Sequence, residues 1–444
     1  MCKVLNAHLP SYVGVKIMRS NTKVLVPLAV LITILALPSS TLLPSAFATP
    51  SVWYVAPTPT LVTVHSGGSC FAPGANTISA AIAAASPGDT IKVCPGTYTE
   101  QVTIGESLTV QSTGGPWKTI IQAPNPMTTT FVSATDTYGE DNIVTITGAT
   151  TTAVLSGFNI TGTKGNFFLD SVTDVNICDN GPGGGTGTLG LGVFVEQGAT
   201  ATITNNIITH IHNYPYYPCA AYGIGIWVGR GGEASTPGTA TISGNTIYDY
   251  QKSAIIVDGT ESTATITGNT ITGWSLAFQA SVPGGIAQNG IQISRGAVAT
   301  ITSNTISVNE CNSVLATSCG PGLEQDYASG IILYSSGPGT VVSKNTLSAN
   351  DIGIVLVEAD PSTTVSLNML SANRYEGIYV NDGTNTVSGN MITGPGNVGI
   401  ASVADSVNTV VTATGNHVTS TVTTPYEAFG ESGYTASILI SQLP

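Results

Sequence analysis

The 444-residue chain is predicted to be all-β: a single-stranded right-handed parallel β-helix, or β-solenoid, with a short N-terminal capping helix. Three observations predict it. An apolar, β-branched motif recurs from about residue 150 onward, with its tightest spacings at 22 to 24 residues. An asparagine marks the same place in almost every copy. The composition is 42% hydrophobic and only 8% charged, with 51 glycines, which suits short strands joined by tight turns. A disordered chain would lack the Val, Ile and Thr that fill this one.

The N-terminus comes first in the chain and reads as an export signal. Lys16, Arg19 and Lys23 precede an apolar run over residues 24–37, and Ala46-Phe47-Ala48 supplies a small-residue cleavage site. Met18 is an alternative start that gives a more ordinary signal length. The apolar run is short for a membrane span of about 20 residues, so a cleaved signal over 1–48 is expected in preference to an anchor. Its loss removes four basic residues and no acidic ones. That leaves 8 basic and 25 acidic residues, a net charge of −17, against −13 for the whole chain. An acidic chain of this kind is a poor partner for nucleic acid, which needs a basic surface. The expected location is secreted or cell-surface.

Six cysteines remain after the signal: Cys70, Cys94, Cys178, Cys219, Cys311 and Cys319. An even number in an exported chain points to disulfides. Sequence proximity favours Cys70–Cys94 and Cys311–Cys319, leaving Cys178 with Cys219. No Cys-x-x-Cys pair argues for a metal site instead.

Residues 49–100 are expected to form the cap and first coil. Thr77-Ile78-Ser79-Ala80-Ala81-Ile82-Ala83-Ala84-Ala85 has the alanine content and apolar spacing of a short amphipathic helix. Ser86-Pro87-Gly88-Asp89 ends it, and Thr90-Ile91-Lys92-Val93 begins a strand. A solenoid needs its open end covered.

Residues 101–444 are expected to carry the coils. Ala240-Thr241-Ile242-Ser243-Gly244-Asn245-Thr246-Ile247 is one copy, repeated as Ala264 to Ile271 and Ala299 to Ile306. The landmark asparagines are Asn180, Asn206, Asn245, Asn269, Asn304, Asn345, Asn368, Asn390 and Asn416, with Phe158 in the equivalent place one coil before Asn180. Alternation along a strand sends Ile242, Ile247, Ile255 and Val257 inward. Stacked asparagines form amide ladders along such an axis, and asparagine tolerates the left-handed conformation of a sharp turn. These residues are therefore read as structural.

Ala83 to Glu100 (AAASPGDTIKVCPGTYTE) resembles the entry segment of the pectin lyase-like superfamily. The later repeats resemble its copper-maturation (NosD-like) and generic right-handed β-helix branches. The likeness covers nearly the whole chain after the signal. It implies the fold, and it leaves the activity open, since that superfamily includes lyases, hydrolases, epimerases and adhesins.

Three asparagine spacings are long, and the excess falls between the asparagine strand and the following Gly-Ile strand, at about 210–222, 274–288 and 309–329. Insertions at one corner project from one face, and in repeat proteins that is often the binding face. The intervening coil, with Asp249, Tyr250 and Lys252, is short and makes the floor of the expected cleft. Tyr214, Tyr217, Tyr222, Trp274 and Tyr327 supply aromatic faces, while Asp249, Glu324 and Asp326 supply polar partners. That mixture suits a carbohydrate. The leading expectation is a protein that binds extracellular polysaccharide or cell-surface glycan. The alternatives are a polysaccharide lyase of the pectin lyase-like type and a purely structural surface protein. For the lyase, Lys252 is the candidate base and Ca²⁺ on Asp249, Glu324 and Asp326 the candidate cofactor. The paired-acid motifs that mark pectin-type hydrolases are absent. His210 and His212 form the one His-x-His, a weak candidate for copper, with methionine scarce nearby. Arg230 and Arg295 read as surface charges at the opposite corner.

Overall fold

A computed structural model describes residues 49–441, apart from 59–62, 126, 129–130, 133–138, 163–187, 212–222, 232–235, 280–286, 312–327 and 395. Residues 50–444 form one compact unit. Three long sheets carry it, the first of 13 strands, the second of 11 and the third of 12. The chain visits the three sheets in turn. One winding runs Thr239–Ser243 in the first sheet, Thr246–Tyr248 in the second and Ser253–Asp258 in the third, then returns to the first at Thr263–Thr267. Each strand pairs in parallel with its counterpart one winding away, so that Ile242 lies beside Ile266 and Ile266 beside Ile301.

Strand alternation decides what fills the interior. Ile242, Ile247, Ile255 and Val257 are all fully buried, as the pattern predicts, and belong to one continuous core with their counterparts in other coils. In the first sheet, Thr239 and Thr241 face solvent while Ala240 and Ile242 face in.

The predicted helix forms over Ile78–Ala84 (α1). The Thr77 hydroxyl accepts from the Ala80 amide, and the Glu100 carboxylate accepts from the Ile78 and Ser79 amides, so the free N–H groups of the first turn are met. Ile78, Ala81 and Ile82 turn into the core.

The asparagine ladder is continuous. In each rung the side-chain oxygen of one asparagine accepts both the backbone and the side-chain N–H of the one before it, from Asn206 through Asn245, Asn269, Asn304, Asn345, Asn368 and Asn390 to Asn416. Two expectations need correction. The left-handed residue of this corner is the one before the asparagine: Asn205, Gly244, Gly268, Ser303, Lys344, Leu367, Gly389 and Gly415 all have positive φ. A ladder asparagine needs its side chain aimed along the axis, and the bend is made one residue earlier. The expected coil at Asn180 also drops out of the count. Phe158 stacks directly on Asn206, its amide donating to the Asn206 side chain, and Asn159–Thr161 pairs with Ile207–Thr209. Asn180 lies outside the described residues, within the connection 162–187.

Cys70 and Cys94 are joined by a disulfide, as the spacing favours. The bridge closes a 24-residue separation that spans α1. Cys70→Ser with Cys94→Ser is expected to lower unfolding free energy by about 3 kcal/mol, the chain-entropy value for a loop of that length. Denaturant titration with and without reductant checks this: the wild type should respond to reductant and the double variant much less. Cys311 is disulfide-bonded as well. Its expected partner Cys319, and the expected pair Cys178 and Cys219, lie outside the described residues.

Candidate functional site

The second and third sheets meet at a corner that the chain turns in two ways. In some coils the turn is short, as at Asp249 to Lys252 between Tyr248 and Ser253. In five others it is long: 123–138, 162–187, 210–223, 273–288 and 308–328. The long connections occur in neighbouring coils and leave from the same corner. The second of them is the segment misread as a coil at Asn180.

The left-handed turn here falls on His210, Asp249, Val308, Ala349, Ala372 and Gly394, in six of the coils, while Gly273 takes the equivalent place without it. Stacking this residue places His210 beside Asp249, with Nε2 at 3.5 Å from Oδ2. The other imidazole nitrogen is 3.1 Å from the Thr209 hydroxyl. Asp249 Oδ1 accepts from the Trp274 indole N–H at 3.0 Å. Trp274 also donates its backbone N–H to the Gln288 side chain, which in turn donates to the Tyr250 carbonyl. The indole packs at 4.9 Å against Phe278, which lies in the short helix Leu276–Gln279 (α2). Glu310 accepts from the Leu276 amide at 2.8 Å. The bases of the 273–288 and 308–328 connections are thus tied to each other, and the first of them to the short floor coil beside it.

Two predicted ligand-facing residues are not on the surface. Tyr250 is fully buried and donates its hydroxyl to Asn309 Oδ1, and burial holds the phenol protonated far above its ordinary range. Trp274 is 5% exposed and anchors its connection from below. Both occupy the column five residues after a ladder asparagine, a column that points into the corner. Farther along, the same column is filled by Asn309, Asn350 and Asn373, which make a second amide ladder. Lys252 donates to the Ala287 carbonyl at 2.5 Å. Arg295 is exposed, as the sequence reading of a surface charge expects, and its guanidinium is paired with the buried Asp258 carboxylate, which the Gly231 amide and Ser294 hydroxyl also satisfy. Tyr214, Tyr217, Tyr222, His212, Glu324, Asp326 and Tyr327 lie outside the described residues. Among the described residues no three His, Cys, Asp or Glu side chains gather in a metal-binding group.

Sequence reasoning missed the downstream half of the corner. Asp351 follows the ladder residue Asn350, and its carboxylate accepts from the Cys311 amide at 2.8 Å and faces Arg374 at 3.6 Å. Arg374 lies 4.8 Å over the Tyr375 ring. Glu376 sits beside Ile352 in the next coil. Burial pushes Asp351 from an ordinary 3.8 up to about 7, with the Cys311 amide and Arg374 pulling the other way. Glu376 is likewise raised to about 7, by burial first and then by Glu427 and Asp351. Two carboxyl groups in adjacent coils thus change charge near neutrality. In protonated form each can donate a hydrogen bond to a neutral hydroxyl. The signal for them was the five-residue offset Asn304–Asn309, Asn345–Asn350 and Asn368–Asn373, which marks this corner as regularly as the first ladder marks its own.

Comparison with known proteins supports the architecture. Residues 225–415 match a family model described as a right-handed beta helix region. A lacto-N-biosidase from Eubacterium ramulus superposes with a TM-score of 0.51 at 12% identity, over 88% of this chain and 68% of that one. The catalytic unit of an α-1,3-glucanase from Streptomyces thermodiastaticus gives 0.45 at 13% identity, over 81% and 64%. A pectate lyase gives 0.38 at 15%, over 72% and 80%. No curated protein matches in sequence. The fold is a right-handed parallel β-helix.

Proposed function

We propose that the protein is exported and binds extracellular polysaccharide or a cell-surface glycan along the corner between the second and third sheets. Residues 1–48 act as the signal in this reading, residues 49–100 as cap and first coil, and residues 101–444 as the binding rod. The observation that carries it is the concentration of long connections at one corner of neighbouring coils, over a rim of polar groups at His210, Asp249, Glu310, Arg374, Tyr375 and Glu376. A rim of this kind meets sugar hydroxyls with hydrogen bonds. The superposed protein from Eubacterium ramulus, a lacto-N-biosidase by name, shares the fold. Glycan-array binding by the full chain is the first measurement. Asp249→Ala and Arg374→Ala should each weaken the best hit by about tenfold, the loss of roughly 1.4 kcal/mol expected when a contributing interface residue is truncated. Unchanged affinity in both variants rules out this corner as the binding face.

A second reading, hydrolysis of a glycosidic bond, is favoured by Glu376, whose carboxyl holds its proton to about pH 7 as a proton donor must. Reducing-end release from the array's best ligand tests it. Activity that survives Glu376→Gln assigns the proton donor elsewhere, and no release from any bound glycan leaves binding alone.

A further inference from the structure

From Asn245 onward, the residue after each ladder asparagine points outward from the second sheet. It is threonine in four successive coils: Thr246, Thr270, Thr305 and Thr346, stacked in register. The next three occupants are Met369, Met391 and His417, in the same column and on consecutive coils. Neighbouring strands lie about 4.8 Å apart, so the three side chains leave the sheet side by side. All three are exposed, Met369 at 51% and Met391 at 38%.

That exposure is unusual. The chain has five methionines, and two of them stand uncovered and adjacent where threonine serves elsewhere. Threonine is the better strand former, so local preference does not account for the change. Nor does the core, since Leu370, Ile392 and Val418 supply the inward side chains of these strands. What the exchange adds is two thioether sulfurs and an imidazole on one flat patch.

We propose that Met369, Met391 and His417 bind a soft monovalent cation, copper(I) or its analogue silver(I). Thioether sulfur and neutral imidazole are soft, uncharged donors that suit copper(I). Methionine has three rotatable bonds, so Met369 can lean its sulfur toward Met391 from one side while the His417 ring approaches from the other. A three-coordinate site with two sulfurs and one nitrogen results, open to solvent on its outer side. The set contains no carboxylate or thiolate, which disfavours the harder divalent ions. This site lies beside the first ladder, at the opposite end of the second sheet's strands from the glycan-binding corner, and shares no residue with that corner.

Competition for copper(I) against bicinchoninate, without oxygen and on the full chain with disulfides intact, measures the affinity. One equivalent should bind. Met369→Leu with Met391→Leu keeps the patch apolar and the strands intact, yet should lower affinity beyond the roughly 10–100-fold that follows loss of a mere supporting contact in metal sites. His417→Gln should do the same. Equal affinity in these variants overturns the site, as does failure of the wild type to compete. A second readout needs no variant to fold. In protein labelled at the methionine methyl groups, silver(I) should shift the signals of Met369 and Met391 and leave that of Met127 in place. If those two signals do not move, the proposal is wrong.

Discussion

Replacing Asn304 by alanine is expected to destabilise the protein by about 4 kcal/mol, from several buried groups that lose partners worth roughly 1–3 kcal/mol each. Asn304 stands mid-ladder. Its side-chain oxygen accepts from the Asn269 backbone and side-chain amides, and its side-chain nitrogen donates to the Ile266 and Thr302 carbonyls and to Asn345. Alanine strips all of these at a site with no room for solvent. Stability in a solenoid is close to a sum of nearest-neighbour terms, so the loss falls on the interface between two coils. Unfolding should then separate into two steps. Asn416→Ala, at the partly buried end of the ladder, should cost only about 1 kcal/mol for a single set of bonds. Denaturant unfolding of both variants decides the matter: equal losses would mean that the ladder does not act as a buried chain.

Stability is expected to fall as pH rises from about 4 to about 7, the reverse of the usual acid-side behaviour. Asp351 and Glu376 both keep their protons to about pH 7 in the folded protein, while the unfolded chain releases them near 3.8 and 4.5. Between those limits the folded state binds more protons, so the slope of unfolding free energy with pH is negative. The stability from these groups is complete below the unfolded values and is lost through the folded ones. After allowance for Arg374 and for screening by solvent, the loss should be on the order of 2 kcal/mol per group. Asp89, Asp360 and Asp382 are shifted downward, so their contributions hold above their ordinary values and are lost only in stronger acid, outside this window. Asp351→Asn with Glu376→Gln should flatten the profile between pH 4 and 7. A wild-type profile that is already flat there, or an unaltered slope in the double variant, excludes the assignment.

Most of the fold was legible because the repeat states its own period. Ala240 to Ile247 and its copies show which side chains alternate inward, and Asn245, Asn269 and Asn304 show where each coil turns. Asn180 misled because spacing alone does not separate a coil from a connection of coil length. Tyr250 and Trp274 misled for another reason. Residue type suggested aromatic faces for a ligand, while direction at a corner is set by the left-handed residue just before, which turns Tyr250 inward. Asp351 and Glu376 were hidden because burial, which raises their pKa values, depends on packing across coils. Met369, Met391 and His417 are 22 and 26 residues apart, and only the register of the second sheet makes them neighbours.

The unequal connections at the corner leave the frame beside them untouched. Thr272 stays opposite Ser307 on the way in, and Asn289 stays opposite Ser329 on the way out, though the segments between them differ in length. Tyr248 and Thr272 are paired just as well, although only four residues follow Tyr248 before the next strand. The rod therefore works like a socket board. During divergence a segment can be lengthened, shortened or transplanted from a relative without resetting the windings, so new specificities can arise faster than the scaffold changes.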